Sequence, residues 1–166
     1  MGLNSGMGAN KKPASRKVAA RSFSKKWAGR GYEKGDTPSF WLELLRDVVG
    51  MEDVTTNVLF EQRTSRRGFI DVTIADAKTI IEQKSLGVDL DKPEERQGVM
   101  VTPFEQARNY ANTLPNSQRP DYIIVCDFNI FRIHNLNKEN PESDYIEFTL
   151  AELPEQLYLL DFLIDP

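Results

Sequence analysis

The sequence predicts an α/β domain in which a mixed β-sheet is flanked by helices. Three observations carry that expectation. Segments with apolar residues at every second position alternate with segments where they recur every third or fourth, in the order helix, three strands, helix, two strands, helix. The length of 166 residues suits one core. The run Ile123-Ile124-Val125, apolar on both faces, reads as a strand at the centre of a covered sheet.

Residues 1–13, with their Gly, Asn and Ser, read as a disordered tail. A basic extension follows over 14–36. Within it Ala19, Phe23 and Trp27 recur at every fourth position with Val18 beside them, which predicts an amphipathic helix over 14–27, and Gly29, Gly31 and Gly35 then mark a loop. The main domain is expected over 37–166. Thr37-Pro38 gives a cap-then-proline start, and Phe40, Trp41, Leu44, Leu45, Val48 and Val49 form an apolar stripe that Gly50 ends.

Strands are expected over 55–64, 68–75 and 78–85, the last two joined by the turn Ala75-Asp76-Ala77-Lys78. Residues 86–101 are polar and long for a connector, so they read as a functional loop bordering any substrate channel. Thr102-Pro103 repeats the cap signal and opens a helix reaching Leu114. Strands over 120–127 and 130–135, an edge strand at 145–148 and a closing helix over 150–164 complete the order.

Composition narrows the class. Cys126 is the only cysteine, in a strand-like apolar run, so a disulfide framework is excluded and a buried small apolar role is expected. No stretch approaches 18 uninterrupted apolar residues, and no signal-peptide pattern is present, so a cytoplasmic protein is expected. The net charge of -4 divides unevenly, with +8 over residues 1–34 and -12 over 35–166. Lys17, Arg21, Lys25 and Lys26 in the basic segment, with Arg66 and Arg67 between two strands, are candidate phosphate contacts, and a solvated face is the alternative. His134, the only histidine, reads as an edge-strand side chain.

The chemistry concentrates in two adjacent strands. Phe69, Asp71 and Thr73 alternate with Ile70, Val72 and Ile74, and Glu82 and Lys84 share one face of the next strand. If those strands form a hairpin, Asp71 lies near Glu82. Two carboxylates about 4 Å apart repel by roughly 4 kcal/mol at an effective dielectric of 20, so a cation or a proton is needed between them. A divalent metal meets that need, and a structural charge network is the alternative. Oxygen donors without Cys or His select a hard ion, Mg2+ or its substitute Mn2+, which can bind a phosphate oxygen and acidify water, while Lys84 orients or helps deprotonate that water.

Asp71 with Glu82-Gln83-Lys84 resembles the motif of the PD-(D/E)xK nuclease superfamily, and Gln106 with Tyr110 resembles the Q-x-x-x-Y motif of its RecB-like branch. A closer likeness covers nearly the whole chain, through Ser39 to Leu45, Val58-Leu59-Phe60-Glu61, Gly68 to Asp71, Ile81 to Ser85 and Thr102 to Ala107. These segments are similar to the N-terminal nuclease region of MmeI-like restriction-modification enzymes and related DNA methyltransferases.

The resemblance implies a restriction-endonuclease-like core that cuts double-stranded DNA with Mg2+. Asp71, Glu82 and the Gln83 carbonyl would hold the metal, with Lys84 at the water and Gln106 and Tyr110 orienting the site or the DNA backbone. Glu61 would support the site, and Glu43 or Glu33 on the preceding helix would supply a further carboxylate. Methyltransferase and target-recognition domains, and with them S-adenosylmethionine, would belong to a longer parent polypeptide, since no glycine-rich cofactor loop and no Asn-Pro-Pro-aromatic tetrapeptide occur here. Double-strand cleavage would call for a homodimer of the parent. An inactive nuclease fold that only binds DNA or a neighbouring domain is the rival reading.

Overall fold

The computed structural model describes residues 13–63 and 68–165. Of the expected tail over 1–13, residues 1–12 lie outside the described residues, as do Arg66 and Arg67, and Pro13 instead begins the first helix. Along the chain run α1 (Pro13–Trp27), α2 (Glu33–Glu43), a π-helical turn (Leu44–Val49), α3 (Val54–Asn57), β1 (Val58–Arg63), β2 (Phe69–Ile74) and β3 (Thr79–Gln83). There follow β4 (Glu94–Arg96), β5 (Val99–Val101), α4 (Pro103–Ala111), β6 (Tyr122–Cys126), β7 (Ile130–Asn135), β8 (Tyr145–Thr149) and α5 (Leu153–Gln156).

Six strands form one sheet in the order β1-β2-β3-β6-β7-β8. Every neighbouring pair is antiparallel except β3 and β6, which run parallel and require the crossover that carries α4. This is the mixed α/β sheet the residue pattern predicts. Alternation along β3 and β6 separates two apolar layers. Ile81 and Ile124 join Phe23, Trp27, Phe40, Trp41, Phe128 and Phe131 beneath α1 and α2, whereas Ile80, Ile123 and Val125 meet Phe104, Ala107 and Ala111 of α4 on the other face.

The elements follow local chemistry. Thr102 caps α4 in full, its hydroxyl accepting from the Glu105 N–H at 3.2 Å while the Glu105 carboxylate accepts from the Thr102 N–H at 2.8 Å. Gly50 closes the π-helical turn in the left-handed region at φ 91°, where its N–H reaches the Leu45 carbonyl at 3.0 Å. The turn at 75–78 joins β2 to β3 as expected.

Several expectations need correction. α2 begins at Glu33 rather than at Thr37, so Gly35 is helical and Pro38 lies inside the helix. The Asp36 N–H donates to the Tyr32 carbonyl at 2.8 Å while the Asp36 carboxylate accepts from the Tyr32 N–H at 2.9 Å, and the Thr37 hydroxyl donates to the Glu33 carbonyl, so a helical turn is already closed before Thr37. In α1 the core side is Ala20, Phe23 and Trp27, and Val18 is 58% exposed, because a 3.6-residue turn favours the three-then-four spacing. Residues 54–57 form a helical turn before β1, and the closing segment is α5 followed by a 3-10 turn at Leu157–Leu163.

The expected loop at 86–101 contains a hairpin. β4 and β5 pair antiparallel across Gln97 and Gly98, both at positive φ, the signature of a two-residue turn that matches strand twist. β7 lies between β6 and β8 rather than at an edge, and His134 is 1% exposed. Its Nδ1 donates to the Pro141 carbonyl at 2.7 Å, Phe104 and Tyr145 flank the ring, and the buried Nε2 has no hydrogen-bond partner among the described residues. No helix among the described residues is long and apolar enough to cross a membrane.

Candidate active site

The site lies where β2 and β3 meet α4. Val72 stands opposite Ile81, so one step further along the antiparallel register Asp71 comes level with Glu82. The Asp71 carboxylate accepts from the Gln83 N–H at 2.8 Å, and this bond fixes the two strands at the chemically important step.

Gln83 is turned the other way. Its side-chain oxygen accepts from the Trp41 indole at 2.6 Å and its amide donates to the Lys84 carbonyl at 3.1 Å. The middle residue of Glu-Gln-Lys is therefore an anchor in the aromatic layer, which leaves Glu82 and Lys84 on the α4 face. Glu82 and Lys84 are 4% and 3% exposed, and the Lys84 Nζ lies 3.4 Å from the Glu82 carboxylate.

α4 completes the cluster. Gln106 accepts from the Lys84 Nζ at 3.2 Å. One turn on, the Tyr110 ring packs over Gly68, so closely that a Cβ there would sit 2.5 Å from the ring. Gly68 immediately precedes β2, the strand that carries Asp71 three residues on.

Electrostatics mark both carboxylates. Burial pushes the Asp71 carboxyl up to about 6; the Gln83 N–H opposes the shift and the Glu33 charge adds to it. Burial, then the Asp71 charge, holds Glu82 well above the usual carboxylate range, with Lys84 opposing. Two half-compensated carboxylates on adjacent strands suit a hard cation that keeps most of its water, because Mg2+ is commonly held by one or two carboxylates. Among the described residues no three Asp, Glu, His or Cys side chains gather into a metal cage. The donor set thus fits a hydrated hard ion and not a closed structural one.

Of the supporting carboxylates, Glu43 is not at the site. It accepts from Lys26 at 2.8 Å and lies 3.5 Å from the Trp27 indole nitrogen, because it stands two residues beyond Trp41, whose indole meets Gln83 of β3, and so lies on the side of α2 turned to α1. The start of α2 carries Glu33, whose N–H donates to the Ser85 hydroxyl at 2.9 Å and whose charge is felt by both Asp71 and Glu82. Glu61 is exposed and holds a left-handed backbone at φ 51° inside β1, level with Asp71, where its charge also reaches that carboxyl.

The candidate DNA contacts of α1 are not brought to this site. Lys17 pairs with Glu155 and Lys26 with Glu43, each at 2.8 Å, while Arg21 and Lys25 are exposed on the layer opposite α4. Sequence reasoning missed Glu94 of β4, whose carboxylate lies 3.8 Å from the Lys84 Nζ. The Gln97-Gly98 turn was the available signal for the hairpin that places it.

Together the fold and site define an α/β domain with an acidic pair and a buried lysine at the mouth of a mixed sheet. The family model described as MmeI, N-terminal domain, matches residues 18–166, and the chain belongs to that family. Membership places it among parts of restriction-modification enzymes. No curated protein and no solved structure matches the chain.

Proposed function

We propose that this chain is a metal-dependent endonuclease domain that hydrolyses phosphodiester bonds of double-stranded DNA. In this reading it is the N-terminal part of a cytoplasmic restriction enzyme that also carries adenine-specific methyltransferase and target-recognition domains, where S-adenosylmethionine binds. One observation carries the reading: a buried lysine amine touching Glu82 and Gln106 beside a second strand's carboxylate, Asp71.

Asp71, Glu82 and the Gln83 backbone carbonyl would hold Mg2+ or Mn2+. When bound, the ion polarises the phosphate and acidifies water. Glu82 and Gln106 hold the Lys84 Nζ from two sides, so it has little freedom to leave the position where it receives a water proton or faces negative charge on phosphorus. Tyr110, packed on Gly68, keeps α4 against the start of β2 and so maintains the Gln106–Lys84 contact. Glu33 is better placed than Glu43 to add a carboxylate.

Asp71→Ala and Lys84→Ala in the parent enzyme should each lower cleavage by at least a hundredfold, the scale of removing an acid-base or charge-stabilising group. Cleavage at the normal rate by either variant would remove the assignment. The rival reading, an inactive fold that binds DNA or a neighbouring domain, draws support from the absence of a three-carboxylate cage among the described residues. Calorimetric titration with Mn2+ separates the two: saturable binding abolished by Asp71→Ala favours catalysis, and no binding favours the rival.

A further inference from the structure

The β4–β5 hairpin and α4 enclose a groove of about 580 Å³, within the size range of ligand clefts. Its walls carry Arg96, Val99, Gln106, Asn109, Tyr110 and Thr113, and among the described residues no carboxylate lines it. That is unusual for this chain, whose residues 35–166 carry a charge of -12. Gln106 both lines the groove and accepts from Lys84, so the groove leads directly to the site.

At the junction stands Glu94. One oxygen, Oε1, lies 3.2 Å from the Arg96 guanidinium and 3.8 Å from the Lys84 amine. A single anionic oxygen thus bridges the cation of the groove wall and the cation of the site. The Glu94 side chain is 43% exposed, whereas that of Lys84 is 4% exposed and held by Glu82 and Gln106. An oxygen shared between a guanidinium and an ammonium is the arrangement that a phosphodiester would take.

We propose that this groove binds the backbone of one DNA strand next to the bond that is cut, and that the Glu94 carboxylate occupies a phosphate position until DNA displaces it. The proposal rests on the nuclease reading of the site. Arg96 then pairs with a phosphate in place of Glu94, and the amides and hydroxyls of Gln106, Asn109 and Thr113 serve neutral contacts to backbone oxygens. Glu94 acts as a built-in competitor that weakens binding to any duplex not pressed into the groove.

The test is fluorescence anisotropy of a labelled DNA duplex with the 166-residue chain, with Ca2+ replacing Mg2+, over a series of salt concentrations. Glu94→Gln keeps the shape, removes the competing charge and should tighten binding roughly three- to tenfold. Arg96→Gln should weaken binding and lower the salt slope by about one, the signature of one lost phosphate contact. Asn109→Asp, which places a negative charge in the groove at an exposed position, should also weaken it. Wild-type affinity in any one of the three overturns the proposal. The readout is binding, so loss of this pattern with parental cleavage intact removes the groove alone. The pattern intact with no cleavage removes the nuclease reading alone.

Discussion

Asp71→Asn should make the metal-free protein more stable at pH 8. The native Asp71 carboxyl is raised from 3.8 to about 6, chiefly by burial, so its ionised form is disfavoured by the fold. A shift of about two units corresponds to about 3 kcal/mol, the most that the neutral amide could recover. Asparagine keeps an oxygen for the Gln83 N–H, which donates to the Asp71 carboxylate at 2.8 Å, and it ends the repulsion with Glu82. The pH dependence follows in sign. Between 3.8 and about 6 the native state holds more protons than the unfolded chain, so wild-type stability falls as pH rises through that window, and the advantage of Asp71→Asn should vanish near pH 4. Urea denaturation in EDTA at pH 8, 6 and 4 measures it through the midpoint. A variant no more stable than wild type at pH 8, or an advantage that persists unchanged at pH 4, refutes the reasoning.

Other expected outcomes test separate parts of the structure. His134→Asn should remove a pH slope of opposite sign. Burial lowers the native imidazole from 6.5 to about 4, so stability falls by up to about 3 kcal/mol as pH drops through that window, a loss best seen in an Asp71→Asn background by urea titration. Gly68→Ala should destabilise by about 1–3 kcal/mol, because its Cβ meets the Tyr110 ring at 2.5 Å, and thermal unfolding reads the loss. Glu43→Gln should leave parental cleavage unchanged and alter stability by less than about 1 kcal/mol in the same melt, since its partner is the half-exposed Lys26.

The strands around the site were legible because their physics is local. Alternation placed Ile70, Val72 and Ile74 in the core, and the turn at 75–78 set the register that brings Asp71 level with Glu82. Register was not legible on α2. Thr37-Pro38 carries a strong start signal, yet hydrogen bonds from Asp36 and Thr37 extend the helix back to Glu33. That extra turn is what carries Glu33 to Ser85, just beyond β3. The β4–β5 hairpin escaped notice because its strands are three residues long and mostly exposed, so burial imposes no period on them. The position of His134 depended on β8 covering β7, a pairing between segments whose order in the sheet no local pattern encodes.

Trp41 gives the site a voice. Its indole donates to the Gln83 side chain, and the Gln83 backbone N–H donates to Asp71, so two hydrogen bonds join a fluorophore to the acidic pair. The chain has one other tryptophan, Trp27, which is stacked on Phe128 in the same aromatic layer. With Trp27 replaced by phenylalanine, the emission of Trp41 becomes a label-free optical record of what happens at Asp71, readable in the intact protein during a titration.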